Sequence, residues 1–139
     1  MKKASDLNGR NAIVTGGARG IGAAAALRLA REGANIVVAD MTDATETLKQ
    51  VEAVGRKAMA VKTDVSVKSD VPRMVALAIE RFEHIDILVN NAGVVHRDGL
   101  LDTSEDTWDR VVSIVLRGTF FCIQAVYPHM RERGYGKIV

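Results

Sequence analysis

The residues Thr15-Gly16-Gly17-Ala18-Arg19-Gly20-Ile21-Gly22 stand between the apolar run Ala12-Ile13-Val14 and the alanine-rich run from Ala23 to Leu29. A short β-branched run, three spaced glycines and then a strong helix former read as strand, tight turn and helix. Each glycine has its own reason to be there. Gly16 lets the chain turn sharply off the strand, Gly20 lets a pyrophosphate come close to bare backbone, and Gly22 lets the new helix pack against the sheet. The free N–H groups and positive dipole end at the helix start then suit a phosphate group. No Gly-Lys-Ser/Thr follows, so the loop is not of the nucleoside-triphosphate kind. Taken alone, the G-x-x-x-G-x-G spacing also fits a glycine-rich turn that binds nothing.

The chain of 139 residues is long enough for one domain with a real core and too short for two. A hydrophobic content of 47% and a net charge of +2 point to a soluble globular domain and give no electrostatic case for nucleic acid. Met1-Lys2-Lys3 has the basic start of a signal peptide, but polar Ser5, Asp6 and Asn8 follow where an apolar segment belongs. No uninterrupted apolar run approaches the roughly 20 residues of a membrane span. The expected compartment is the cytoplasm, with no membrane partner. The single Cys122 excludes an internal disulfide and reads as a small buried hydrophobe. His84, His96, His129 and Cys122 show no metal-ligand spacing.

Beyond the loop, strand and helix alternate. A helix over Ile21 to Arg31 stops at Gly33, and Ile36 to Ala39 form a second strand finishing at Asp40. Thr42 and Asp43, with Glu46 behind them, are expected to cap a helix that runs to about Val54. Ala58 to Val61 make a third strand, and a helix from near Ser69 to Phe82 puts Pro72 in its first turn, where no N–H is owed. Ile85 to Val89 read as a fourth strand, apolar on both faces as a buried parallel strand should be. After a polar loop, Thr103 to Asp106 open the longest helix, about Thr107 to Arg133, and Lys137 to Val139 begin a fifth strand. The apolar positions of the long helix cover more than one face, so its second side packs either on a second copy of the chain or within its own subunit. The alternation specifies an α/β, Rossmann-like doubly wound parallel sheet in the order 3-2-1-4 plus a stub of strand 5, as one domain over residues 1–139.

Four features agree in order and spacing: Thr15-Gly-x-x-x-Gly20-x-Gly22, Asp40 ending the second strand, Asp64 ending the third, and Asn90-Asn91-Ala92-Gly93 ending the fourth. Together they resemble the short-chain dehydrogenase/reductase family, over essentially the whole chain. The resemblance implies a nicotinamide dinucleotide bound by Gly16, Arg19, Gly20, Ile21 and Gly22 at the loop, and by Asp40, Asp64, Val65, Asn90, Ala92 and Gly93 around it. Asp40 lies about twenty residues past the loop, where a carboxylate accepts from the adenosine ribose hydroxyls. A 2′-phosphate would meet that carboxylate with a repulsion of up to ~4 kcal/mol at 4 Å and an effective dielectric near 20. NAD is therefore favoured over NADP, with Arg19 as the counter-signal. Asp64 and Val65 match the family's adenine-contacting pair, although Asp64 also fits a residue that merely turns the chain. Asn90 resembles the residue that ties the central strands together, and Ala92 and Gly93 leave room for a ribose. His96 falls in the following loop, near where substrate would lie.

The family transfers a hydride between nicotinamide and a carbonyl or alcohol carbon of a small-molecule substrate. It uses a serine and a Tyr-x-x-x-Lys pair that lie beyond the fifth strand. Tyr127 is followed four residues later by Arg131, and Tyr135 has too few residues behind it, so no catalytic residue is assigned here. Val115 stands where the family has a proton-relaying asparagine in the long helix. The chain is thus expected to be the amino-terminal, cofactor-binding half of a larger oxidoreductase, truncated at its carboxyl end. The alternatives are a non-catalytic dinucleotide-binding module and an association partner of a full-length homologue. The 139-residue chain is predicted to turn over no alcohol or ketone with NAD or NADP in a spectrophotometric assay; measurable turnover would refute the assignment.

Overall fold

The structure is a computed structural model and describes residues 6–139. Five parallel strands form one sheet: β1 (Asn11–Thr15), β2 (Asn35–Asp40), β3 (Ala58–Lys62), β4 (Ile87–Val89) and β5 (Lys137–Ile138), in the order β3-β2-β1-β4-β5. Between them run α1 (Gly20–Arg31), α2 (Thr45–Ala53), α3 (Asp70–Phe82) and a long helix made of α4 (Glu105–Val112), a π-helical turn (Ser113–Arg117) and α5 (Gly118–Glu132). The order and the elements are those read from the sequence.

Alternation along the strands sorts side chains onto two cores. Ala12, Val14, Ile36, Val38 and Ile87 face α1 and α2, whereas Ile13, Val37, Ala39 and Leu88 face α3 and α5. Period-two alternation on a sheet covered on both sides requires apolar residues at successive positions, and β1 is buried at all five of its residues. Ala26 and Ala30 bring α1 close to the sheet, and Cys122, Val126 and Met130 form the buried stripe of α5. Burial pushes the Cys122 thiol up to about 11, in keeping with its expected role as a small hydrophobe.

Several local expectations are corrected. Neither Thr42 nor Asp43 caps α2, whose N-cap is Ala44 with no side-chain bond; the Thr42 hydroxyl donates to Asp40 instead, and Asp43 accepts from Thr45. β4 begins at Ile87 rather than Ile85, because Asp86 interrupts the apolar run with a fully buried carboxylate. The long helix opens as expected, with Ser104 accepting from the Thr107 N–H, but it carries the π turn that no residue pattern announced. By length and composition the helix from Glu105 to Glu132 is also apolar enough to cross a membrane, although charges such as Arg117 break the apolar run. Here one side of it packs in the core beneath β4 and α3.

Asp86 anchors the amino ends of the central strands, opposite the glycine loop. One carboxylate oxygen accepts from Arg10 at 3.1 Å and Arg133 at 3.2 Å; the other accepts from the Asn11 N–H at 2.9 Å and pairs with His84 at 3.2 Å. Burial works to raise its pKa, but the Asn11 N–H, the His84 charge and the two guanidinium groups outweigh that and hold it below the ordinary 3.8. The cluster ties the residues before β1 and β4 to the end of α5. We expect Asp86→Ala to cost about 2–3 kcal/mol in urea unfolding, less than the ~3–5 kcal/mol of a fully buried pair because both arginines keep contact with water. Because the folded pKa is depressed, this contribution is present above pH ~3.8 and is lost as the pH falls through the folded value. The variant's deficit should therefore shrink in acid, and a deficit constant down to pH 2 would contradict the account.

Candidate functional site at the carboxyl ends of the strands

The loop between β1 and α1 leaves the sheet at Gly16, whose φ of +64° is open to glycine and strained for other residues. A side chain there would also meet the Ala92 Cα at 2.9 Å. Gly20 has φ +59°, and nothing lies within 4 Å of where its Cβ would be, so the backbone is bare toward open space. Gly22 differs from expectation in what it touches. A Cβ would collide with the Gly16 carbonyl oxygen, lie 2.8 Å from the Gly16 carbonyl carbon and crowd the Asn91 amide, so this glycine packs α1 against its own loop rather than against the sheet.

Three neighbours pin the loop. The Gly16 N–H donates to the Ala39 carbonyl at 2.8 Å, the Ala18 N–H donates to Asp40 Oδ2 at 3.0 Å, and the Thr47 hydroxyl donates to the Ala18 carbonyl at 2.9 Å. On the other side, Asn91 Nδ2 donates to the carbonyls of Thr15 at 3.1 Å and Gly16 at 3.0 Å. The Thr15 hydroxyl donates to the Val89 carbonyl and accepts from the N–H groups of Asn91 and Ala92, which uses its full hydrogen-bonding capacity. α1 itself starts at Arg19 with no side-chain cap and no acidic residue in its first turn. Its first N–H groups thus have no side-chain acceptor of their own.

The cleft has a volume of about 450 Å³ and lies where the ends of β1, β2, β3 and β4 meet. It gathers Gly16, Arg19, Asp40, Asp64, Val65, Ala92 and Gly93 from the sequence-read set. Gly20 and Ile21 stand exposed at the start of α1, and Gly22 sits behind them. Asn90 does not join this wall. Its Nδ2 donates to the Val139 carbonyl at 3.2 Å, tying β4 to β5, while its Oδ1 is buried without a partner among the described residues. Asn91 makes a second tie between strands, from the end of β4 to the Thr15 and Gly16 carbonyls at the end of β1. His96 lies in the exposed loop after β4 and pairs with Asp98. Arg110 and Ile114, on the long helix, complete the cleft and were not read from the sequence; a four-residue spacing aimed at the sheet ends was the available signal.

The two carboxylates differ. Asp40 Oδ1 accepts from the Thr42 N–H and hydroxyl, both at 2.9 Å. Burial raises its pKa, but these bonds and the one from the Ala18 N–H outweigh burial and leave it below 3.8, so Asp40 is a fixed negative charge at the cleft wall. Asp64 Oδ1 accepts from the Ser66 N–H and hydroxyl, so part of its role is to turn the chain into α3. Val65 is held by Gly118, where a Cβ would come within 2.7 Å of the valine Cγ2. Bare backbone at one end, carboxylates beside it and an apolar floor lie together at the carboxyl ends of the strands, the place where open α/β sheets carry their clefts.

Residues 10–139 match the sequence profile of the short chain dehydrogenase family. Short chain dehydrogenase claC of Passalora fulva is 44% identical over 131 residues, covering 92% of this chain and 49% of that protein. An uncharacterized NAD-dependent oxidoreductase of Mycobacterium tuberculosis is 37% identical over 149 residues, covering 96% of this chain and 54% of that protein. The crystal structure of a protein described as a short-chain alcohol dehydrogenase from Sinorhizobium meliloti 1021 superposes with a TM-score of 0.92 at 40% identity, over 96% of this chain and 54% of that one. The chain belongs to the short-chain dehydrogenase family of oxidoreductases, and it spans about half the length of the relatives it matches.

Gly22→Ala is expected to lower stability by about 1–3 kcal/mol, the range for forcing a methyl into a packed site. Gly20→Ala, with open space around it, should cost only the left-handed backbone penalty of ~1–2 kcal/mol. Thermal unfolding that ranks Gly20→Ala as clearly the more damaging of the two would contradict this packing.

Proposed function

We propose that the chain is the cofactor-binding half of an NAD-dependent oxidoreductase acting on a carbonyl or alcohol carbon of a small molecule. The observation that carries this is the juxtaposition in one cleft of Gly16 and Arg19, the latter the N-cap of α1 without a side-chain cap bond, with the ionised Asp40. The fit to a dinucleotide is one of shape and charge. The N–H groups at the start of α1 take the diphosphate, Asp40 accepts from the adenosine ribose, and Asp64 with Val65 meets the adenine. Gly93 leaves room on the far side, where a Cβ would make only ordinary contact with Val115, at 3.7 Å. A nicotinamide bound in this way supplies hydride exchange with the substrate carbon. This chain's residues bind the dinucleotide, orient it and keep its diphosphate on backbone amides.

NAD is favoured over NADP because Asp40 is negative throughout the neutral range and faces the ribose position, and a relative bears the name NAD-dependent. Arg19 in the loop works in the opposite direction. A second reading, association of copies through the long helix, is favoured by the exposed apolar side chains Trp108, Leu116, Phe120 and Tyr127 on it. The two readings use different faces and do not exclude each other.

In calorimetric titration NADH should bind at least about tenfold more tightly than NADPH, a preference of ~1.4 kcal/mol. Because Asp40 titrates below 3.8, it stays charged from pH 8 to pH 5, and any narrowing of the preference over that range should follow the 2′-phosphate, whose second ionisation lies near pH ~6. Asp40→Ser should narrow the ratio by raising NADPH affinity relative to NADH. Tighter NADPH binding by the unaltered chain would overturn the role given to Asp40.

A further inference from the structure

Arg110 lies in the wall of the cleft that also holds Asp64 and Val65, and among the described residues its guanidinium has no ion-pair partner. Its place follows from how the long helix meets the β3–α3 loop. Gly118 sits against Val65 so closely that a methyl group there would overlap the valine side chain. Ile114, four residues earlier, and Arg110, four earlier again, both reach the same cleft. On an uninterrupted α-helix, positions four apart drift by roughly 40° around the axis at each step, so a line of three would wander off the contact. The π turn over Ser113–Arg117 has more residues per turn and rotates the helix back, which keeps Arg110, Ile114 and Gly118 on one stripe. The stripe runs from the tight Gly118–Val65 contact, over an apolar step at Ile114, to a planar cation at the cleft rim.

Resting on the dinucleotide reading above, we propose that the Arg110 guanidinium lies flat against the adenine ring, as a stacking clamp rather than a phosphate ligand. Three observations set the ligand chemistry. Arg110 lines the same cleft as Asp64 and Val65, on the helix whose Gly118 touches Val65 and whose Ile114 shares the cleft wall. Val65 and Ile114 give an aromatic ring an apolar bed, and a guanidinium plane is suited to cover such a ring. Asp64 accepts from Ser66 and Asp40 from Thr42 and Ala18, and among the described residues neither pairs with Arg110. The same arginine also borders a second, polar hollow with Asp109, Ser113 and Arg117, on the outer side of the helix, so its stem stands at the lip between cleft and solvent. From there the head group folds inward over a bound base.

The test is calorimetric binding of NADH, ADP-ribose and reduced nicotinamide mononucleotide to the unaltered 139-residue chain, Arg110→Ala and Arg110→Lys, at low and high salt, with circular dichroism to show that each variant is folded. Arg110→Ala should weaken NADH and ADP-ribose by about five- to thirtyfold, and equally at both salt concentrations, while leaving the mononucleotide, which has no adenine, unchanged. Arg110→Lys should recover only part of the loss, since an ammonium has no plane to stack. An unchanged NADH affinity in Arg110→Ala overturns the proposal while leaving the dinucleotide reading in place. A loss that disappears at high salt, or is fully restored by lysine, identifies a phosphate contact and also overturns it. If the unaltered chain binds neither NADH nor ADP-ribose, the dinucleotide reading falls, and this proposal with it.

Discussion

The carboxamide of Asn91 is the interaction on which the rest of the cleft depends. It reaches from the end of β4 to the carbonyls of Thr15 and Gly16, the last residue of β1 and the first of the loop. Two strands that are 76 residues apart in sequence are thereby locked at the point where both stop making ladder bonds. With the Thr15 hydroxyl returning bonds to Val89, Asn91 and Ala92, the carboxyl ends of the central strands become one rigid unit. Gly22 is glycine because this amide and the Gly16 carbonyl leave no space for a methyl group. The loop is therefore held in a fixed shape before any ligand arrives, and a preformed set of aligned amides loses little entropy on binding an anion.

The two ends of the sheet are held by different physics. At the amino ends, a buried carboxylate gathers two arginines and a histidine, a charge cluster whose work is to fix those ends. At the carboxyl ends, the Asn91 carboxamide and the Thr15 hydroxyl do the holding, joined by the Asp40 carboxylate, which accepts from the Ala18 N–H. This division suits a binding function. Asp86 has its ion-pair partners at the amino ends, whereas Asp40, which both holds the loop and lines the cleft, and Arg110 border open space at the carboxyl ends. The long helix links the ends: Arg133 at its close reaches Asp86, Gly118 presses on Val65 in the middle, and Arg110 reaches the cleft near its start.

Much of this was legible in the sequence because it rests on local necessities. A turn that needs positive φ at Gly16 and Gly20 needs glycine, and runs such as Ile36-Val37-Val38-Ala39 between helices suit buried parallel strands. What stayed hidden depends on contacts between distant residues. Asn90 and Asn91 are chemically identical neighbours at a strand end, and only the pleat decides which turns toward Thr15 and which toward Val139. Asp86 sits in an apolar run, and nothing nearby announces that Arg10 and Arg133, from far along the chain, will neutralise it. Thr42 and Asp43 have the chemistry of helix caps, but Asp40 draws the Thr42 hydroxyl away and α2 starts later. The π turn answers to the fit of the long helix against Val65, a tertiary demand without a residue signature of its own.

The central claim is that the backbone at the start of α1, together with the neighbouring strand ends, is where a dinucleotide sits. Two-dimensional amide NMR of the isotopically labelled chain during titration with NADH tests it most directly. The account predicts shifts concentrated at Gly16–Gly22, Asp40–Thr42, Asp64–Val65 and Asn91–Val94, with the apolar groove between α3 and α5 around Val75, Ile79 and Phe121 unaffected. Shifts centred on that groove, or a folded chain whose loop amides do not respond at saturating NADH, would contradict it.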